Sequence, residues 1–162
     1  MRVLGIDPGI AIVGFAILEY TGARQFMPLE YGSIETEAGL SVATRLNMIH
    51  RACQKLIAEY KPEDLAIEQL FWSRNTTTAF TVSQARGVVL LAAAQAGLEV
   101  TEYTPLQVKM AVTGYGKADK KQVQEMVKLI LKLPSVPKPD DVADALAIAI
   151  CDVHTMKNHI KA

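Results

Sequence analysis

Three stretches of the chain carry carboxylates where chemistry could be done. Asp7 closes the short apolar run Val3, Leu4 and Ile6 in MRVLGIDPG, just before Pro8-Gly9. Glu68 closes a second such run, Leu65-Ala66-Ile67. In DDVADALAIAI, Asp141 and Asp144 are spaced i, i+3 and Asp140 and Asp144 i, i+4, so either pair shares one helix face. Spacing alone does not choose between Asp140 and Asp141. Each group also has an ordinary explanation: Asp7 can cap its own turn, Glu68 can pair with a lysine, and Asp140 and Asp141 suit a helix N-terminus. Asp144 is harder to account for in that way. Val142, Ala143, Ala145, Leu146 and Ala147 around it are all apolar, and a charge in such surroundings needs a partner.

Parallel strands of an α/β sheet present functional residues at their carboxyl ends. If the strands ending in Asp7 and Glu68 are adjacent and parallel, the two carboxylates meet at one edge. Two carboxylates about 5 Å apart repel by roughly 3 kcal/mol at an effective dielectric of about 20. A cluster of four therefore calls for positive charge. A pair of divalent cations about 3.5–4 Å apart supplies it, and oxygen ligands suit magnesium or manganese. Such a pair serves phosphodiester hydrolysis, one ion activating water and the other stabilising the leaving oxygen. No histidine and cysteine constellation fits zinc, and His50, His154 and His159 read as ordinary residues.

The elements that must hold these groups can be read from periodicity. The first run is a strand buried on both faces, ended by a proline that lacks a ladder donor and by Gly9, which permits the positive φ of a tight turn. Ile12 to Tyr20 and Pro28 to Ile34 add two strands with short links, an antiparallel meander, with Gly14 allowing close approach. An amphipathic helix follows from about Ser41, its cap, to Tyr60, before Pro62. Leu65 to Glu68 is a fourth strand. After the loop Gln69 to Arg74 a long helix runs from about Asn75 to Ala96, stopped by Gly97, and Leu98 to Tyr103 is a fifth strand. Short helices from Pro105 to Val112 and Lys120 to Leu133 flank the Gly114-Tyr115-Gly116 break, and a proline-rich connector leads to the last helix near Asp140. This order predicts one α/β domain over residues 1–162, a five-stranded mixed sheet flanked by helices.

Bulk properties narrow the class. Half of the 162 residues are hydrophobic, enough for one well-buried core. No apolar stretch approaches the roughly 20 residues of a membrane span, and the start does not resemble a signal peptide, so an intracellular protein without a membrane partner is expected. Cys53 and Cys151 lie in apolar helical contexts and read as reduced core residues. The net charge of zero hides an asymmetry. Between Thr101 and Lys138 seven lysines face three acidic residues, a local excess that suits phosphate binding as well as a solvated helix.

Five stretches together, GIDPG with Gly14, AIEQLFWSRN, TAFTVSQARG, VKMAVTGYGKADKKQVQ and DDVADALAIAI, resemble the RuvC family of bacterial Holliday-junction endonucleases, over nearly the whole chain. The resemblance implies a ribonuclease-H-like fold, a cytoplasmic bacterial enzyme and a homodimer that nicks two strands of a four-way DNA junction in recombination and repair. The products implied are 5'-phosphate and 3'-hydroxyl ends, with two Mg²⁺ per site and Mn²⁺ as a substitute. It places the acidic positions at Asp7, Glu68, Asp141 and Asp144, as catalytic residues and metal ligands, with Asp7 shared between both ions. It favours Phe71 as a base-stacking residue at the opened junction, with Arg74 on the same loop. Lys109, expected near the end of the fifth strand, and Lys120 match basic positions close to the scissile phosphate, while Lys117 and Lys121 suit general backbone contacts. One face of the long helix packs on the sheet and the other is implied to dimerise. A branch-migration helicase complex is a further implied partner. Two rivals remain: an actin-like ATP-binding domain, which needs a second such domain, and a module that holds junctions without cutting them.

Overall fold

The computed structural model describes residues 1–22, 25–70 and 76–160. Its sheet has five strands in the order β3-β2-β1-β4-β5. They are β1 (Arg2–Asp7), β2 (Ile12–Tyr20), β3 (Phe26–Glu35), β4 (Asp64–Glu68) and β5 (Glu99–Tyr103). The first three form the expected antiparallel meander, and β4 and β5 add to β1 in parallel. β3 is longer than its sequence pattern predicts. As an edge strand it tolerates Pro28, and the ladder slips at Ile17 and Leu18, beside the missing donor.

Helices cover both faces. On one side lie α1 (Val42–Tyr60) and α2 (Thr76–Ala96). On the other lie α3 (Pro105–Thr113), α4 (Lys120–Leu131) and α5 (Asp140–Ile160). Ser41 caps α1 by accepting from the Thr44 N–H, and the helix ends where Lys61 turns left-handed at φ 48°, just before Pro62. Gly97, at φ 71°, stops α2 as its position predicts. α4 ends two residues early, because Lys132 takes the left-handed cap. Cys53 and Cys151 are buried free thiols. No helix among the described residues is long and apolar enough to cross a membrane.

The period of two in β1 decides which side chains reach the site. Leu4 and Ile6 enter the core under α1 and α2, with Ile17, Leu65 and Ile67 from the neighbouring strands. Val3 enters the opposite core, under α5, with Leu18 and Ala66. Gly5 and Asp7 share the Val3 face, and Glu68 shares the Ala66 face, so both carboxylates look toward α5. That helix comes unusually close. A Cβ on Gly5 would stand 2.3 Å from the Ala145 carbonyl oxygen, and one on Gly14 would stand 1.9 Å from that of Asp141. Gly9 plays a different part from the one its turn position suggests. Its φ is not positive, and its bareness serves close approach instead: a Cβ there would meet the Ile12 carbonyl oxygen at 2.4 Å.

The far end of the same face buries a second, separate acidic group. Asp64 and Asp152 are 2% and 0% exposed. Tyr103 donates to Asp152 Oδ1 at 2.8 Å and Thr101 to Asp64 Oδ2 at 3.3 Å, while Asp64 Oδ1 and Asp152 Oδ2 face no donor. Burial, then the Asp152 charge, pushes the Asp64 carboxyl up to about 7. Asp152 is raised as well, chiefly by burial, with hydrogen bonds from Tyr103 and Asp64 pulling the other way. The folded state keeps the Asp64 proton above the ordinary aspartate range. Its stabilisation is complete below the unfolded value near 3.8 and is lost as pH rises through about 7. Urea unfolding of the protein is expected to show falling stability over that window, and Asp64→Asn to flatten the slope. An unchanged slope in the variant would show that the proton is held elsewhere.

Candidate active site

The sheet edge and the first turn of α5 bring together the carboxylates singled out in the sequence. Asp7 ends β1, Glu68 ends the adjacent parallel strand β4, and Asp141 and Asp144 face them from α5. Backbone contact at Gly14, which is paired with Asp7 in the ladder, sets the height of α5 above the strands. The electrostatics show how close the groups are. Asp7 is pushed up to about 8, by burial first and then by the charges of Asp144, Asp141 and Glu68. Glu68 is raised by burial and then by Asp144, with Lys120 and Lys109 pulling the other way. Asp144 is also raised, chiefly by burial.

Lys120 is the cation at the centre of this arrangement. From the start of α4 its Nζ donates to Asp144 Oδ2 at 3.1 Å and lies 3.5 Å from Asp140 Oδ2. Ion pairing raises Lys120, yet Asp144 stays above its ordinary value. The two shifts agree once burial is counted: one half-exposed ammonium does not offset the desolvation of Asp144 and its acidic neighbours. Asp140 differs from Asp141. Lys138 bonds Asp140 at 2.7 Å and holds it below the usual aspartate range, while the Asp140 charge helps to raise Asp144. Lys138, two residues before it, is a partner the sequence places within reach, whereas Lys120 arrives from a separate helix.

Glu68 and Pro105 form a ridge between two clefts. One, of about 190 Å³, is lined by Lys109, Lys120, Val108, Val123, Asp144, Ala147 and Ile148. The other, of about 260 Å³, opens toward Asp7, Pro8, Gln69, Leu70 and Val82. Lys109 reaches the first cleft from α3, not from the end of β5. Lys117 and Lys121 are exposed nearby. Phe71 and Arg74 lie outside the described residues. His50 and His154 bond away from the site, to Gln95 and to the Ala111 carbonyl.

Among the described residues no three acidic, histidine or cysteine side chains close around a point as a ready cage. The donor set still fits a divalent ion. It is made only of carboxylate oxygens, which hard cations prefer, and burial together with the neighbouring acidic charges lifts Asp7 to about 8.

A mixed sheet of this order, with carboxylates at the ends of its first and fourth strands and on the facing helix, defines a ribonuclease-H-like nuclease fold. Residues 3–152 match the family described as crossover junction endodeoxyribonuclease RuvC. A RuvC from Brevibacillus brevis is 63% identical over 150 residues, covering 93% of this chain and 90% of that relative. The structure of T. thermophilus RuvC in complex with Holliday junction substrate superposes with a TM-score of 0.93 at 36% identity, covering 98% of this chain and 96% of that one. The yeast mitochondrial Holliday junction resolvase shares the fold at a TM-score of 0.70 and 12% identity, covering 98% of this chain and 80% of that one. The chain belongs to the RuvC family, whose members are metal-dependent nucleases.

Proposed function

We propose that this protein resolves four-way DNA junctions by symmetric paired nicks, through metal-dependent phosphodiester hydrolysis that leaves 5'-phosphate and 3'-hydroxyl ends. The convergence of Asp7, Glu68, Asp141 and Asp144 on one face, in a chain of this family, carries the reading. These four residues would hold two Mg²⁺ ions, which when bound polarise the phosphate and activate water. The chain's own groups do the rest. The rigid strand ends fix Asp7 and Glu68 against a helix whose height is set by backbone contact. Lys120 pairs with Asp144 in the metal-free protein and, with ions bound, would meet a phosphate, as would Lys109 at the cleft wall. Lys117 and Lys121 extend the positive surface along the DNA.

Two junction strands call for two sites, which a homodimer supplies in one binding event. The face of α2 turned from the sheet suits that contact. Ala85, Val89, Ala92 and Ala93 are buried beneath the helix, whereas Phe80 and Leu91 are 68% and 50% exposed, with bare Gly87 between them.

One assay tests the function: the protein with a synthetic four-way junction, linear duplex and ATP, in Mg²⁺ or in a chelator. Paired, Mg²⁺-dependent nicks confined to the junction are expected. ATP turnover would point to the actin-like rival, and binding without cleavage to a junction-holding module. Junction affinity should also fall steeply with salt, and Lys117→Ala and Lys121→Ala should each flatten the slope by about one.

A further inference from the structure

The outer face of α3 is not an ordinary solvated helix surface. Leu106 and Met110, spaced i, i+4, are 59% and 49% exposed, and Tyr115, just past the helix, is 55% exposed. The loop after α3 folds back on this face. Thr113 Oγ1 accepts from the Tyr115 N–H at 3.0 Å, anchoring the turn. A Cβ on Gly116 would stand 2.6 Å from Leu106 Cδ1 and 3.4 Å from Met110 Sδ. The bare backbone of Gly116 therefore lies flat on the leucine and methionine, and the half-exposed Tyr115 just before it lines a shallow groove with Thr113, Ala118, Gln122, Glu125 and Met126. The sequence shows only a glycine-flanked break here; the contact with Leu106 and Met110 makes it part of a continuous strip.

Both ends of the strip are charged. Lys109, three residues after Leu106 on the same face, lines the cleft with Glu68 and Asp144. At the other end Lys117 and Lys121 are exposed and form no ion pair among the described residues. An apolar and aromatic surface flanked by unpaired ammonium groups fits a polyanion with flat faces. It does not fit a second copy of this chain, since a two-fold contact through this patch would set the lysines of one copy against those of the other.

We propose that Leu106, Met110, Gly116 and Tyr115 bind an unpaired nucleotide of the junction strand that enters the cleft, its base stacked on Tyr115. The sugar edge runs along Leu106 and Met110, and the flanking phosphates meet Lys117 and Lys121. This rests on the nucleic-acid reading above and adds a stacking site to it. Base–aromatic contacts are tolerant of sequence, so the strip holds the strand in register without selecting a base.

The test uses junctions with 2-aminopurine placed at single positions around the branch point, bound to Glu68→Gln protein so that no cleavage intervenes. Quenching is expected at one position near the branch. Adding Tyr115→Ala should relieve that quenching and raise the junction Kd about five- to hundredfold, with the salt slope unchanged. Tyr115→Phe should keep both signals. Leu106→Gln, also on the surface, should weaken binding in the same direction and guards against a folding defect in the first variant. Wild-type quenching and affinity in both Tyr115→Ala and Leu106→Gln would overturn the inference while leaving the nuclease reading intact. A change of oligomeric state in Tyr115→Ala with junction affinity untouched would assign the strip to a protein contact and overturn it too. Failure of the Glu68→Gln and unsubstituted proteins alike to bind any junction would remove the nuclease reading itself.

Discussion

Asp7→Asn is expected to abolish junction cleavage while leaving junction binding in place, and to make the metal-free protein more stable. The loss of rate should exceed the 10- to 100-fold that removing an outer-shell partner of a metal ligand costs. The gain in stability follows from the same carboxylate. Burial and three acidic neighbours push Asp7 up to about 8, so its ionised form opposes folding. The contribution of the protonated form is full below the ordinary value of 3.8 and is lost as pH rises through about 8. Asparagine keeps the shape and carries no charge, so the variant should be the more stable protein at pH 8. The difference should be on the order of 2 kcal/mol, because the half-buried site is screened by solvent. That is well below the roughly 5–6 kcal/mol that about 1.36 kcal/mol per pKa unit gives for a shift from 3.8 to about 8. Chemical denaturation in chelator, beside a cleavage assay in Mg²⁺, measures both. A variant that cuts normally removes Asp7 from the chemistry. One that is inactive and also destabilised shows a structural role instead.

Much of this site could be read from the chain because strand alternation is a rigid rule. Val3, Gly5 and Asp7 must share a face, as must Ala66 and Glu68, so a parallel β1–β4 pair suffices to bring two carboxylates to one edge. The spacing of Asp141 and Asp144 then aims both from a single helix turn. What could not be read depends on contacts between distant elements. The choice between Asp140 and Asp141 is one example. Periodicity treats them alike; in the structure Asp140 pairs with Lys138, two residues before it, and with Lys120 from α4, while Asp141 is among the charges that raise Asp7. Gly9 shows the opposite error: its place after Pro8 suggests backbone freedom, whereas the structure uses its lack of a side chain. Asp64 and Asp152 are another such contact. Separated by about half of the chain, they carry no sequence signal that they meet in the core.

Gly14→Ala should be among the most damaging single-methyl changes in the protein. The added Cβ would lie 1.9 Å from the Asp141 carbonyl oxygen, 2.3 Å from its carbon and 3.0 Å from the Val142 nitrogen. All three are backbone atoms, so no side chain can rotate to relieve the clash. Either β2 or the first turn of α5 must move, and overpacking of this kind costs about 1–3 kcal/mol, occasionally more. The expected loss is at the upper end, because the displaced helix buries most of its length against β1 and β2. Function should suffer more than stability. A shift of α5 carries Asp141 and Asp144 away from Asp7 and Glu68, and a misplacement of about 1 Å can cost a hundredfold in rate. Gly39→Ala is the matched control, since a Cβ there meets nothing within 4 Å. Its melting temperature and cleavage rate should stay near those of the unsubstituted protein. If Gly14→Ala folds normally and still cuts at full rate, the height of α5 above the strand ends is not what places the carboxylates.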